Sequence, residues 1–509
     1  MSRINKADDV ALQLEEADTF GNEDAVKPVY IPNDESSHKK TKAERRFITK
    51  CDFVIVPLGA LLYFVAYVDR NSIGNARVLG TGMQNDLGLS GDQWKNCLSM
   101  FFVGYIIFML PGNILIKVLR PNRHLGGTAL LFGALLAAMS AASNYATVVA
   151  LRLLIGAAQA FLQGISIYCS LWYKRDEFAT RLAFVYWAAT ISGAFSGLIA
   201  YAVGDSLRLE NTGRDSWRWL FIIEGSMAMF VGILVWLILP PSPESLKQKT
   251  WLLSSEEVAI ESSLNADIET AYNTHESRVD WRQILTTMKD PKSWVFASLN
   301  CGVSLGVSSI SLFLPTFIHE LGFSGERTQL FSVIPYACAS CVIPLSLVSD
   351  RLNIKGPFLL GTILVTCTGY IILLCEVSVA AKIVACCIAA SGLYPSVILM
   401  QAWIVGNMAG YTKRATSWAM AEIFGQCFGV LASHVYTTPP RFIKGHAIVL
   451  GLLLYAAVMT VALMWWMMRA NKKKQEEILR YESEGMVHPH KLKSLEEVQD
   501  FHIDFKYII

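Results

Sequence analysis

Apolar runs alternate with short polar stretches along most of the chain. They fall at 52–70, 96–117, 124–142, 146–172, 181–204 and 218–239, then, beyond a polar interruption at 240–290, at 293–316, 329–348, 357–376, 380–406, 415–436 and 447–468. Each is close to the ~20 residues with which a helix crosses roughly 30 Å of hydrocarbon. A helix also satisfies its own backbone groups in lipid, where no water can do so. The pattern therefore predicts an all-α polytopic membrane protein with twelve transmembrane helices in two six-helix bundles. The expected divisions are a tail over 1–49, a first bundle over 50–240, a central loop over 241–291, a second bundle over 292–469 and a second tail over 470–509.

The connections carry a pattern of their own. Lys39, Lys40, Lys42, Arg45, Arg46 and Lys50 precede the first run, and Lys117, Arg120, Arg123 and His124 lie between the second and third. Lys174, Arg175 and Arg181 follow the fourth, and Lys247, Lys249, Arg278, Arg282, Lys289 and Lys292 lie in or beside the interruption. Arg351 and Lys355 follow the eighth run, Lys413 and Arg414 the tenth, and Arg469, Lys472, Lys473 and Lys474 the twelfth. Every second connection is basic, while those near 143–147 and 377–381 are short and nearly neutral. Lys and Arg concentrate on the cytoplasmic side of membrane proteins, so both termini are expected in the cytoplasm. Residues 1–38 lack apolar periodicity and read as a disordered tail. With 1–46 polar, the first run reads as a retained helix rather than a cleaved signal.

Composition agrees with the runs. The chain is 53% hydrophobic and 17% charged, with mean hydropathy +0.38, whereas a soluble protein carries about 25% charged residues. A net charge of +2 offers no basic surplus, and nucleic acid is not an expected partner. The eleven cysteines are scattered, mostly within apolar runs. Cys338 and Cys341 have C-x-x-C spacing but no second ligand pair, so they read as packing residues, and neither metal nor cofactor is expected. Pro240, Pro241 and Pro243 stop the sixth run, and Ser254 with Glu257 reads as the capping box of a short surface helix.

The chemistry concentrates in Leu61–Arg77, LLYFVAYVDRNSIGNAR. An ionisable residue at mid-membrane costs at least ~2.5–3.5 kcal/mol, so it faces a cavity or a partner. Here Asp69 and Arg70 stand side by side, Asp69 tempering the charge or serving as a gate, with Asn75 following. Arg152 in the fourth run has two readings: it snorkels or pairs structurally, or it helps bind an anion. It lies early in a run that enters from the opposite side, at a depth similar to that of Arg70. Glu224 in the sixth run and Glu422 in the eleventh are interhelical partners or proton carriers, as are buried carboxylates generally. No H-E-x-x-H or P-loop text appears, and no enzyme is expected.

Several phrases carry a resemblance. The text SLVSDRLNIKG, with Asp350 and Arg351, resembles the loop signature of the major facilitator superfamily, whose fold the six-plus-six arrangement matches. YVDRNSIGNAR, SLWYKRDEFATR, DSWRWLFIIEG, FLPTFIHELGFS and WIVGNMAGYTKRA resemble, in order, phrases of the fungal branch of the anion:cation symporter family, the allantoate, nicotinate and pantothenate permeases. The resemblance implies that Arg70 contacts a substrate carboxylate and that Arg152 is the helix-4 arginine. It also implies that Asp350 and Arg351 are gating residues. Gln159 stands where relatives carry a glutamate linked to proton coupling, Ser72 and Gln426 replace asparagines, and Gly406 stands where a first asparagine often precedes Asn407.

The expected function is therefore secondary transport of a small organic anion, proton-coupled and inward, by a monomer in the plasma membrane bilayer. The expected substrate contacts are Tyr67, Arg70, Asn75, Arg152, Gln159, Trp403 and Asn407, and the proton-coupling candidates are Asp69, Glu224 and Glu422. Tyr63, Tyr168, Tyr186 and Tyr394 are further candidates to line the cavity. The alternatives are efflux of a secondary metabolite and a non-transporting nutrient sensor. Helix 5, TISGAFSGLIAYAVG, lacks the proline of the Gly-Pro phrase typical of drug–proton antiporters, which weighs against efflux.

Overall fold

The computed structural model describes residues 42–173, 175–241, 281–409, 411–484, 488–492 and 498–509. The tail over 1–38 and the capping box of Ser254 and Glu257 lie outside the described residues. The chain divides into the units Met1–Arg45 and Arg46–Ile509. Of the first, only the start of one helix is described, and everything below concerns the second.

Among the described residues twelve long helices follow one another: α1 Lys42–Val78, α2 Gly91–Val118, α3 Pro121–Met139, α4 Tyr145–Leu162, α5 Arg175–Ser206, α6 Ser216–Ile238, α7 Pro291–His319, α8 Gly325–Val342, α9 Gly356–Leu374, α10 Val379–Asn407, α11 Tyr411–Val435 and α12 Ile443–Ser483. Two of the predicted runs are jointed rods. After Gln163, α4 continues as Gly164–Trp172, and at Pro344 α8 continues as Pro344–Leu352. Local chemistry sets the starts. Ser90 and Gln93 form a reciprocal capping box on α2, and the Asn144 side chain accepts the Thr147 N–H at 2.9 Å. Pro121 and Pro291 occupy first positions, where a missing N–H costs nothing.

Two helices outrun their apolar text. α1 begins at Lys42 and α12 runs on to Ser483. The α12 extension carries exposed pairs at i,i+4 spacing, Lys472–Glu476 and Arg480–Glu484, which support a helix in water. Ten stretches among the described residues are long and apolar enough to cross a membrane. The two helices outside that set, α3 and α11, carry more polar text and each packs along a neighbour. α3 lies against α6, with Gly133 facing the Gly225 carbonyl, and α11 lies against α7, with Gly425 facing Ser304 and Asn300.

The first six helices meet the last six along α1, α2 and α5 on one side and α7, α8 and α11 on the other. Tyr336 O–H donates to Asn71 Oδ1 at 2.8 Å, Gln329 Nε2 to the Asn75 carbonyl at 3.3 Å, and Trp187 Nε1 to Ser340 Oγ at 2.7 Å. Arg208 pairs with Glu326 at 2.9 Å, and Ser99 Oγ lies 3.3 Å from His434 Nδ1. The backbones touch at Gly74, where an added Cβ would stand 2.6 Å from the Leu312 carbonyl oxygen. Among the described residues these ties run from mid-helix to the end of the bundle where α1 finishes, and they seal that end.

Candidate buried charge site

Successive residues on a helix point about 100° apart, and α1 uses this at Asp69 and Arg70. Asp69 turns into α4 and is fully buried. Its Oδ1 receives Arg152 Nη1 at 3.3 Å, and its Oδ2 receives Gln159 Nε2 at 2.9 Å. Arg152 and Gln159 are two turns apart on α4 and therefore share a face. Gln159 Nε2 also donates to the Ala66 carbonyl at 2.9 Å, while its Oε1 accepts Arg70 Nε at 3.1 Å. Both amide donors and the amide oxygen are in use, and only this orientation of the amide satisfies all three partners.

Arg70 turns the other way, into the seam between the first and last six helices. Its guanidinium carbon lies 4.7 Å from the Tyr67 ring centre, 5.2 Å from Phe101 and 5.0 Å from Tyr105. Phe101 also carries Arg152 at 5.1 Å on its ring. Cations over aromatic faces gain electrostatically, and more so when desolvated. Arg70, Arg152, Tyr67 and Phe101 line a cavity closed across the seam by Ser308 and Ser311 of α7. It leaves about 20 Å³ for the centres of water molecules. That is room for one or two waters, so the site is contracted in this conformation.

Two carboxylates flank it. Glu422 on α11 is half-buried, accepts Gln401 Nε2 at 3.0 Å and interacts electrostatically with Arg70. Glu224 on α6 is buried and takes the Ser72 hydroxyl on Oε1, whereas its Oε2 has no hydrogen-bond partner among the described residues. Ser72 Oγ also lies 2.8 Å from the Val68 carbonyl and 3.1 Å from Ser196 Oγ, which accepts Asn75 Nδ2 at 2.8 Å. Ser72 has one hydroxyl hydrogen for two acceptors. When it goes to Val68, a protonated Glu224 completes the network by donating to Ser72.

The Major Facilitator Superfamily profile matches residues 59–433. The chain belongs to that superfamily. It is 31% identical over 423 residues to the high-affinity nicotinic acid transporter of Saccharomyces cerevisiae, covering 82% of this chain and 77% of that one. It is 32% identical over 426 residues to an uncharacterized transporter of Schizosaccharomyces pombe, covering 83% of each, and 32% identical over 456 residues to the MFS transporter prlL of a fungal strain, covering 87% and 89%. The D-xylose–proton symporter shares the fold with a TM-score of 0.62 at 14% identity, covering 81% of this chain and 97% of that one. A bacterial homologue of the human lysosomal transporter Spinster, inward-facing and unoccupied, gives 0.61 at 13%, covering 80% and 95%. The chain is thus an integral membrane transporter of the fungal permease-like branch, with a small-molecule substrate, and not an enzyme.

In this transporter Tyr67, Asp69, Arg70, Arg152 and Gln159 form one group, and Asn75 lies farther along α1 in the Ser72–Ser196–Glu224 network. Asp69 pairs with Arg152, not with its chain neighbour, which is the structural-pairing reading of Arg152, and both arginines still line the one cavity. Trp403 and Asn407 are not brought to Arg70. Their side chains are bonded to Ile508 at the opposite end of α10. Asp350 pairs with Lys355 across the α8–α9 turn, and Arg351 is exposed. Tyr63 O–H donates to Gln163 Oε1 at 2.5 Å, and Tyr168 O–H to the Pro240 carbonyl at 2.8 Å. Phe101 and Tyr105 are not among the sequence candidates, although their i,i+4 spacing on α2 already puts two rings on one helix face.

Proposed function

We propose that this transporter imports a small organic anion, with a proton, by alternating access between residues 50–240 and 292–469. The observation that carries this reading is the position of Arg70. Asp69 is engaged by Arg152, so the cation at the seam is left to face the cavity. A guanidinium takes a carboxylate through two parallel hydrogen bonds. The rings of Tyr67, Phe101 and Tyr105 offer apolar faces to a planar substituent beside that carboxylate. The relative named as a nicotinic acid transporter supports the same substrate class.

Glu422 is the proposed proton carrier. In the resting site its charge balances Arg70. A monoanion arriving with one proton leaves that balance unchanged: Arg70 pairs with the substrate, and Glu422 holds the proton. Glu224 is the second candidate, through the Ser72 network, and Asp69 the weakest, because Arg152 holds its charge. With both termini cytoplasmic and the chain a monomer in the plasma membrane, the sealed end at Gly74 is the outer face. Asp350 and Lys355 then brace the inner turn between α8 and α9.

Reconstituted proteoliposomes with an inward proton gradient test the reading against a panel of labelled monocarboxylates, nicotinate among them. Accumulation that collapses with an uncoupler is expected. Transport of neutral solutes alone, or net export down the same gradient, overturns it.

A further inference from the structure

Residues 498–509 sit on the ends of five of the last six helices. Gln499–Phe501 makes one 3-10 turn, which buries Asp500 completely. The Asp500 carboxylate pairs with Lys292 at the start of α7 and Lys413 at the start of α11. Both lysines are themselves buried, and both also face Asp290, at 3.5 and 2.6 Å. Two cations meet two anions, and this segment supplies one of the anions. Burial pushes the Asp290 carboxyl up, but Lys292 and Lys413 outweigh it and hold the group below the usual carboxylate range. Tyr507 adds its hydroxyl, donating to Asp500 Oδ2 at 2.9 Å and accepting Lys292 Nζ at 3.2 Å.

The backbone is bound as closely. Asn407 Nδ2 and Trp403 Nε1 donate to the Ile508 carbonyl at 3.0 and 2.8 Å, and Ile508 N–H donates to Asn407 Oδ1 at 2.8 Å. Asn471 of α12 grips Tyr507 in the same two-way manner, at 2.8 Å each way. Lys474 Nζ collects the carbonyls of Asp500, His502 and Phe505 at 2.6, 2.9 and 2.9 Å. Lys355, whose ammonium pairs with Asp350, gives its N–H to the Ile509 oxygen at 2.8 Å. The polar groups of α10 that read as substrate ligands are ligands of this segment.

We infer that residues 498–509 are a built-in clasp that ties the ends of α7, α9, α10, α11 and α12 into one body and fixes the Asp350–Lys355 turn to it. The inference goes beyond the transport reading and does not depend on which substrate is carried. Removing one charge from a buried cluster leaves another uncompensated, which is strongly destabilising, whereas removing a balanced pair is far less so. The clasp therefore predicts a charge-specific rescue.

The test uses the purified full-length chain. Asp500→Asn is expected to lower the thermal midpoint by about 5 °C or more, and Asp500→Asn combined with Lys413→Met to recover most of that loss. An unchanged midpoint in the single variant, or no recovery in the double, overturns the clasp. Hydrogen exchange gives a second readout should the single variant not fold. In the parent chain the amides of Tyr507 and Ile508 should exchange as slowly as helix amides. In a chain lacking residues 498–509, exchange should rise at 353–357 and 405–413 and stay unchanged in α1–α6. Fast exchange at Tyr507 and Ile508 in the parent, or no local change on deletion, also overturns it.

Discussion

Asp69 forms its ion pair with Arg152 on the facing helix, 3.3 Å away, and not with Arg70, its neighbour in the chain. That one pairing divides the two arginines by role. Arg152 is 1% exposed and sits in the cavity wall paired with Asp69, while Arg70 stays at the seam under three aromatic rings.

The division makes Arg70 the residue whose geometry, beyond its charge, matters to a carboxylate. Arg70→Lys keeps the charge and loses the planar fork. We expect its KM for monocarboxylate uptake to rise by about tenfold or more, the equivalent of one charge-assisted hydrogen bond, with unchanged protein abundance. A lysine variant transporting at the parent KM would remove the carboxylate fork from the mechanism.

Asp69 and Arg152 should behave as a structural pair. Asp69→Asn and Arg152→Met each strand a buried charge, at a cost of about 3–5 kcal/mol. The double variant should be more stable than either single one, so a double-mutant cycle on thermal unfolding has a large coupling energy. Additive losses would show that the two do not interact.

Gln159 holds Arg70 with its oxygen and gives one amide hydrogen to Asp69 and the other to the Ala66 carbonyl. Gln159→Glu replaces those hydrogens by an oxygen facing a second carboxylate, and only a protonated side chain restores the donor. The ratio of variant to parent uptake should therefore fall as pH rises. A ratio flat from about pH 5 to pH 8 would mean that the amide donors are dispensable.

Glu422 and Glu224 are separable by experiment. Glu422→Gln should abolish gradient-driven accumulation and preserve substrate counterflow, because counterflow needs no net proton movement. Glu224→Gln, which keeps a donor for Ser72, should leave accumulation nearly intact. The reverse pattern would move proton coupling to the Ser72 network.

Ten of the helices are legible in the sequence from their own length of apolar text, α3 and α11 from shorter apolar runs behind polar starts, and the Asp69–Arg70 pair because membrane helices rarely hold charge. What the text cannot encode locally is partner choice. Asp69 lies next to Arg70 in sequence, but the turn of the helix sends one to Arg152 and the other to the rings of Tyr67, Phe101 and Tyr105, with Gln159 bridging the two. Trp403 and Asn407 read as cavity residues for the same reason as Arg70, being polar or aromatic groups on an apolar helix. Their partner Ile508 lies about a hundred positions away, in a stretch that reads as a charged tail. The apolar text stops short of the Lys42 end of α1 and the Ser483 end of α12 because a helix leaving the membrane loses its apolar signal before it loses its hydrogen bonds.

Gly74 brings a last consequence. With only a hydrogen on its α-carbon, α1 rests directly on the Leu312 carbonyl, and a methyl group would stand 2.6 Å from that oxygen. The seal is thus set by the smallest side chain available, and Gly74→Ala acts as a wedge on one face of the bundle only. A wedge costs the sealed state and not the opened one, so it shifts the population toward opening at the α1 end. A cysteine placed at Gln329 should then react faster with a membrane-impermeant thiol reagent than the same cysteine in the Gly74 parent. Equal rates would mean that the seal yields elsewhere. The absence of a single carbon atom would then decide which side of the membrane this protein faces at rest.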